Sequence, residues 1–467
     1  VKQMFLITMN TIEIIIAMFL VFLVFLLALC LLRAALIRNK EIRILQLDEH
    51  SDQQHDYYIN KLKGLIEIKT SSFEDPEFFL IFQEKIKTDF PFIHDCFNKE
   101  KVGRNAVFTS KVKIEGAPNI LFAAHVDYTS NLQEVKIEDG ELYGNGTFDS
   151  KSLFFSIFEA VEKILTEQSR LDVNLTMVMT TDDETTQDGM NHIVDQFLKS
   201  GKFFDLVIEE GSGIVDPAYF GLMSHYALIG IGLTGETTVR FKTVKSENGE
   251  KNLSGFLEEL QKNPVFKPKI DQKAMIPLRE MAKDMPFFER FFFNNLFIFR
   301  PFVKKKIDDE YLGLSKLLKT QIIMGEAECT EEECHADLTF QLATHNTAAD
   351  IVLALSKSLR KYGVEYQLLN NVDATKIADV HSEGFKVVEK TIHSVYKNIY
   401  TAPVIVTNIS EKRYFDKVSD CVIRFSPLYY TTAAYREGKK GLEHVSGKSL
   451  CYAVSFFQGI LKTYTRR

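Results

Sequence analysis

Apolar and polar positions fall into three textures along this chain. Ile14 to Leu32 is an unbroken run of 19 residues with no charge, nearly all Ile, Leu, Val, Phe, Ala or Met. A helix of that length spans roughly a 30 Å hydrocarbon core. The apolar region of a cleaved signal peptide is shorter, about 7–15 residues, and is followed by a small-residue cleavage site. Arg33-Ala34-Ala35-Leu36-Ile37-Arg38 follows here instead, so the pattern predicts a retained single-pass anchor over 14–33. Residues 1–13 are then a short tail and 34–56 a juxtamembrane linker.

The second texture runs from 57 to 227, where short apolar runs alternate with helical spacing. Asn119 to Ala124 and Leu175 to Thr180 read as buried strands, and Phe154 to Leu165 and Met190 to Leu198 as helices. That alternation predicts an α/β domain. A third texture begins near 228. Thr237 to Val244 and Ala336 to Leu342 alternate like open-faced strands, Ala348 to Tyr362 has helical spacing, and Val364 to Leu369 is a further strand. Residues 228–371 are therefore expected to form an α+β insert, with 372–467 returning to the first domain. The aromatic stretch Phe287 to Phe302 lies in the insert. It reads as a helix packed into core or a subunit interface, with a wall for an acyl chain or a membrane surface as the alternative.

A length of 467 residues exceeds one typical core and agrees with two globular domains. The net charge of -7, with Lys and Arg scattered apart from short runs such as Lys304-Lys305-Lys306, argues against a nucleic-acid surface. The 38 Phe and absent Trp are a compositional bias that assigns no function. Of the 6 cysteines, Cys30 lies inside the apolar helix, and Cys329 and Cys334 bracket an acidic loop and could pair. No zinc-ribbon or disulfide framework emerges.

Orientation reads two ways. Arg33, Arg38, Lys40 and Arg43 follow the apolar run and only Lys2 precedes it, which by the positive-inside rule favours a cytosolic domain. Asn145, Asn174, Asn252 and Asn408 open Asn-x-Ser/Thr triplets, which point to a lumenal, vacuolar or extracellular domain. Asn145 and Asn174 lie within core motifs where a glycan would not fit. The lumenal, vacuolar or extracellular side is the expectation carried forward.

Candidate chemistry gathers at the ends of the apolar runs. In order these are His125-Val126-Asp127, Gly144-Asn145-Gly146-Thr147-Phe148-Asp149, Asp182-Asp183-Glu184, Glu209-Glu210-Gly211 and, far downstream, His444. Carboxylates at the carboxyl ends of parallel strands converge on one crevice. Two imidazoles with three carboxylates suit two zinc ions. On a strand His125 and Asp127 face the same way, so Asp127 can accept the second ring N–H and fix the tautomer. A Gly-x-Gly turn before Asp149 lets its two oxygens bridge cations about 3.5–4 Å apart.

These motifs, together with Leu142-Tyr143 before the glycine turn, Ser150-Lys151 after it, Asn294-Asn295-Leu296-Phe297-Ile298-Phe299-Arg300-Pro301 and Val422-Ile423-Arg424-Phe425-Ser426-Pro427-Leu428, resemble peptidase family M20. The nearest likeness is to the group holding carboxypeptidase S, the aminoacylases and the N-fatty-acyl-amino-acid hydrolases. The resemblance runs from roughly residue 60 to the C-terminus. It implies a doubly wound α/β zinc-peptidase domain with an inserted α+β lid or dimerisation domain at 228–371. It implies two Zn2+, with His125 and Glu209 on separate ions, Asp149 bridging, and Glu184 and His444 completing the sets. Asp127 would orient His125, Asp183 would be the general base that takes a proton from the attacking water, and Arg413 would bind substrate. The substrate would be a peptide or an N-acyl amino acid, and the lid would support a homodimer.

Four departures from the family pattern bear on turnover. The acidic triplet is Asp182-Asp183-Glu184 where the family has Asp-Glu-Glu, and a base one methylene shorter sits about 1 Å back, a misplacement that can cost ~100-fold. The lid stretch that should carry a Gly-His pair reads Lys245-Ser246-Glu247-Asn248-Gly249, and loss of such an oxyanion donor typically costs about 10²–10³ in rate. A lid Arg is replaced by Gln341, which cannot form a bidentate charged pair. The loop near the C-terminus is Asn408-Ile409-Ser410-Glu411-Lys412-Arg413, and Val445-Ser446-Gly447-Lys448 follows His444 where Gly-x-Asn-Glu is usual. Two functions are therefore open: a membrane-anchored zinc hydrolase of peptide or N-acyl-amino-acid amide bonds, or an impaired relative that keeps the fold and acts by binding.

Overall fold

The computed structural model describes residues 2–36, 41–46, 52–71, 77–128, 133–148, 150–185, 188–217, 222–263, 265–310, 312–407, 414–438 and 440–464. Its strands, in chain order, are β1 (Phe97–Val102), β2 (Asn105–Ser110), β3 (Asn119–His125), β4 (Lys136–Glu138), β5 (Glu141–Tyr143), β6 (Asn174–Thr180), β7 (Leu206–Val215), β8 (Tyr226–Leu233), β9 (Glu236–Val244), β10 (Gln321–Cys329), β11 (Glu333–Gln341), β12 (Glu365–Val372), β13 (Tyr400–Val406), β14 (Val422–Tyr429) and β15 (His444–Ser446).

Eight of them form one sheet in the order β1-β2-β6-β3-β7-β14-β8-β13. Its centre, β6-β3-β7-β14, is parallel, while β1–β2, β2–β6 and β14–β8 are antiparallel. The sheet is thus mixed rather than purely parallel. Alternate residues of β3 face two different cores. Ile120, Phe122 and Ala124 pack with the helices Lys151–Gln168 and Gly447–Thr463, while Leu121 and Ala123 pack with Met190, Ile193 and Val194 of the helix Asp188–Lys199. Helices on both faces explain why these strands read as continuous apolar runs. Asn145 is buried and the Asn174 amide donates to Ile114 and Ala117 carbonyls, so neither is a glycan site.

Strands β10-β11-β9-β12 form a second, antiparallel sheet. Inward residues Val239, Phe241, Ala336, Leu338 and Phe340 meet Leu253, Phe256, Ile351, Leu355 and Leu359 from two helices in a separate core. One of those helices, Ala348–Tyr362, begins at a Thr347–Asp350 capping box and ends at Gly363 in the left-handed region (φ 61). The register sets Cys329 opposite Cys334, and the two are joined as a disulfide.

The boundary of the insert differs from the sequence expectation at two places. Every residue of β8, from Tyr226, is buried, because β8 lies inside the large sheet between β14 and β13. The second sheet starts only at Glu236. In addition, Ala274, Leu278, Met285, Phe293, Val303 and Leu317 belong to the core of the large sheet. The helices they come from leave the core of the second sheet and return to the main body.

The helix Lys2–Leu36 contains the predicted anchor, and Glu13–Leu36 is long and apolar enough to cross a membrane. From Glu13 to Leu32 its side chains are largely exposed, but Cys30 and Ala34 are buried against Phe291.

Candidate metal centre

His125 ends β3 and lies in register with Thr180, the last residue of β6, so the Asp182-Asp183-Glu184 turn starts beside it. His125 is buried. Its Nδ1 lies 3.0 Å from the Asp127 carbonyl oxygen and 3.3 Å from the Asp127 carboxylate. An Nδ1–H donated there fixes the tautomer and leaves the Nε2 lone pair for a ligand. The other Asp127 oxygen accepts the Glu184 N–H at 2.9 Å, which ties the acidic turn to the histidine strand. Burial raises the Asp127 carboxyl pKa, but the His125 hydrogen bond and charge and the Glu184 N–H outweigh it, leaving the pKa below the usual range.

Nε2 of His125 lies 3.0 Å from the carboxylate of Glu210, not Glu209. The cause is a bulge in β7. Arg424 on β14 faces Glu209, while the next residue, Phe425, faces Ser212, so Glu210 and Gly211 have no opposite number. A Cβ on Gly211 would sit 2.4 Å from the Arg424 carbonyl carbon, so the bulge requires glycine. Glu209 is buried with its carboxylate 2.9 Å from the Arg424 Nε, and Arg424 also reaches Asp416 at 3.4 Å. Sequence reasoning named Glu209 as a ligand and gave no role to Glu210 or Arg424. Alternation along a strand cannot reveal a bulge.

The glycine turn has the expected form, with positive φ at Gly144 and Gly146. It is held by Glu443, whose buried carboxylate accepts from Gly146 N at 2.8 Å and Phe148 N at 3.2 Å. Lys151 is fully buried and donates to the carbonyls of Leu65 and Ile68, and burial pushes its ammonium down to about 7 against the pull of Glu443 and Asp127. His444, next along β15 from Glu443, stacks on Tyr143 at 4.8 Å and lies between two carboxylates, Glu141 at Nδ1 and Glu437 at Nε2 (3.2 Å). Each candidate imidazole thus has one acid on each ring nitrogen. The roles of Glu443, Glu141 and Glu437 were also missed, since none lies in a motif that carries chemistry alone.

Asp183 is buried and Glu184 exposed directly after β6. Asp149 and Arg413 lie outside the described residues. The Lys245–Gly249 stretch is a helix start, with the Ser246 hydroxyl accepting the Gly249 N–H. Gln341 sits opposite Glu236 in the second sheet. Among the described residues, one group of three ligand atoms lies within 4.8 Å, and it is elsewhere: Glu250 with the disulfide-bonded Cys329 and Cys334. A cavity of about 420 Å³ borders the site, lined by Glu67, Lys69, Tyr128, Gln133 and Asn145 among others.

The donor set fits a divalent cation at His125. A buried imidazole nitrogen with its partner nitrogen held, 3.0 Å from a carboxylate oxygen, has the spacing of two ligands of one ion whose own bonds are about 2.0–2.2 Å. Glu443 braces the turn that leads to Asp149.

Comparison with known proteins places the chain among the peptidases. The family described as Peptidase family M20/M25/M40 matches residues 121–436. A carboxypeptidase S-like protein of Dictyostelium discoideum is 21% identical over 97% of this chain and 94% of its own. The N-fatty-acyl-amino acid synthase/hydrolase PM20D1 of Bos taurus is 23% identical over 82% of each chain. Among solved structures, an M20 family metallo-carboxypeptidase from Sulfolobus solfataricus superposes with a TM-score of 0.60 at 15% identity, covering 89% of this chain and 99% of that one.

Proposed function

We propose a reaction from a fixed premise: this chain belongs to peptidase family M20/M25/M40. Family membership makes it a hydrolase of amide or peptide bonds. The finer reading is a zinc-dependent enzyme, carboxypeptidase S-like, that releases an amino acid from a peptide or an N-acyl amino acid. The carrying observation is His125, oriented through Nδ1 by Asp127 and presenting Nε2 to Glu210 at 3.0 Å.

His125, Asp149, Glu184, Glu209 and His444 would hold two zinc ions, with Glu210 joining the His125 end. Zinc, when bound, lowers the pKa of water and polarises a carbonyl. Asp127 keeps the imidazole in one tautomer and raises its basicity. Asp183, buried just after β6, would take the proton of the attacking water and pass it to the leaving amine. The cavity beside Tyr128 and Asn145 is within the usual range of a small-molecule site, and its Lys69 could face a substrate carboxylate.

The anchor reading belongs to the same proposal. Glu13–Leu36 would span a membrane, and the Cys329–Cys334 disulfide supports a domain on the oxidising side, against the basic residues that follow the span. The exposed edge strands β10 and β12 support the lid as a dimer contact.

The test is metal content together with amino-acid release. Purified protein is expected to carry two zincs and to release amino acid from N-acyl or dipeptide substrates, and His125→Ala is expected to lose both. Two zincs with release no faster than His125→Ala across a broad panel would leave the binding relative as the surviving reading.

A further inference from the structure

The aromatic helices Phe287–Asn294 and Leu296–Glu310 are singled out by the sequence and unused by the hydrolase site. They do not pack into the lid. Phe291 lies against Cys30 and Ala34 of the N-terminal helix, with Phe292, Ile298 and Phe299 around them. The buried Asn295 amide donates to the Cys30 carbonyl at 3.1 Å, and the Arg33 guanidinium lies 5.2 Å over the Phe297 ring. Thus the contact combines shape, a buried hydrogen bond and a cation–π pair.

Its depth is the informative quantity. Cys30 precedes Arg33, the first charge after the apolar run, by three residues, and Leu36, the helix end, by six. At 1.5 Å per residue it lies about 4–9 Å inside the span. Whatever packs on Cys30 shares that level. Amphipathic helices that lie in a membrane interface bury their apolar face about 5–10 Å, the same range. The two helices also expose what such a level would cover: Phe287, Phe288, Phe297 and Phe302 are 44–72% exposed, and Phe297 lies under Arg33 of the anchor. The exposed Lys305, with Arg33, supplies cations where headgroups would lie.

We propose that residues 287–302 form an interfacial membrane element, clamped to the anchor through Asn295 and Phe291, whose exposed phenylalanines sit among phospholipid acyl chains just below the headgroups. This rests on the anchor reading above. It makes the membrane attachment two-part, so the body is held at a set height instead of swinging on a tether.

The chain has no Trp, so each Phe→Trp substitution adds the sole indole. The full chain would be reconstituted in phosphatidylcholine/phosphatidylserine vesicles containing lipids brominated at shallow acyl positions. Phe288→Trp and Phe297→Trp are compared with Phe203→Trp on the α/β body, which is 51% exposed, and Phe19→Trp in the anchor. The expected result is blue-shifted emission and quenching several-fold greater for Phe288→Trp and Phe297→Trp than for Phe203→Trp. Equal quenching at all three body sites, with Phe19→Trp quenched, overturns the interfacial element and leaves the anchor standing. An unquenched Phe19→Trp removes both. A blue shift that depends on protein-to-lipid ratio and ignores bromination assigns the face to a second copy and also overturns the proposal.

Discussion

The two sheets treat charge in opposite ways. In the large sheet, the charged residues on or just beyond the central strands β3, β6, β7 and β14 are buried: His125, Asp127, Asp183, Glu209 and Arg424 are all below one-tenth exposed. In the small sheet, β9 and β11 alternate strictly, so Phe241 and Leu338 face the core while Arg240, Lys242, Glu333 and Asp337 pair on the open face. A charge in water costs almost nothing to hold, whereas a buried one is tolerated only if paired or bound. The large sheet therefore concentrates its electrostatic cost in the crevice where chemistry is expected, and the small sheet carries none. Substitutions of similar chemistry should consequently have very different effects in the two places.

The largest effect is expected at Arg424. It and Glu209 are both essentially fully buried, so Arg424→Leu strands a carboxylate in the interior and should cost about 3–5 kcal/mol of stability. The double substitution Arg424→Leu with Glu209→Leu should recover most of that loss in urea denaturation of chelator-treated protein. A single variant as stable as wild type would mean that Glu209 is not held as a charged pair, and the contrast between the sheets would weaken.

Asp183→Glu comes next and acts on rate instead of stability. If the short carboxylate is a base set about 1 Å back, the longer side chain should raise kcat by up to ~100-fold on any amide the enzyme turns over. An unchanged kcat would move the limitation to the second-sheet domain, where the resemblance implies a Gly-His pair and an Arg and the chain reads Lys245–Gly249 and Gln341. Asp127→Asn should weaken metal binding about 10–100-fold without unfolding the chain, because it removes the negative charge beside His125 and one of the two oxygens that face His125 and the Glu184 N–H, and leaves the main-chain contact at 3.0 Å. Competition against a chromophoric chelator reads that change directly, and unaltered affinity would argue that the carbonyl alone orients the ring.

What was legible before the structure follows the same division. Periodicity located β3, β6 and the helix Ala348–Tyr362, because a two-sided or one-sided apolar pattern is a local property. It also placed His125 and Asp183 at strand ends. It could not place Glu210, because the bulge depends on how Gly211 meets the Arg424 backbone across strands. Nor could it assign the helices around Phe293 and Val303 to the main core, since their apolar faces suit either domain and only packing decides. Glu443 was invisible for a related reason. Its partners, Gly146 N and Phe148 N, are main-chain groups nearly 300 positions away, and such contacts leave no side-chain signature.

The smallest effect should come from the best-formed charged pair of the small sheet. Arg240 meets Asp337 through two hydrogen bonds of 2.8 Å, better geometry than Arg424 has with Glu209. Both side chains are about a third exposed, however, so water already solvates each of them. Arg240→Ala should shift the melting temperature by less than about 2 °C. The hydrogen bond from Arg240 holds the Asp337 pKa below its ordinary value. The pair's contribution is therefore present above about pH 4 and lost as pH falls through the lowered folded value, so wild type and Arg240→Ala should converge in acid. A wide gap at pH 7 that closes in acid would mean the small sheet's open face is covered in the working protein, as a dimer would cover it, and exposure would no longer separate the two sheets.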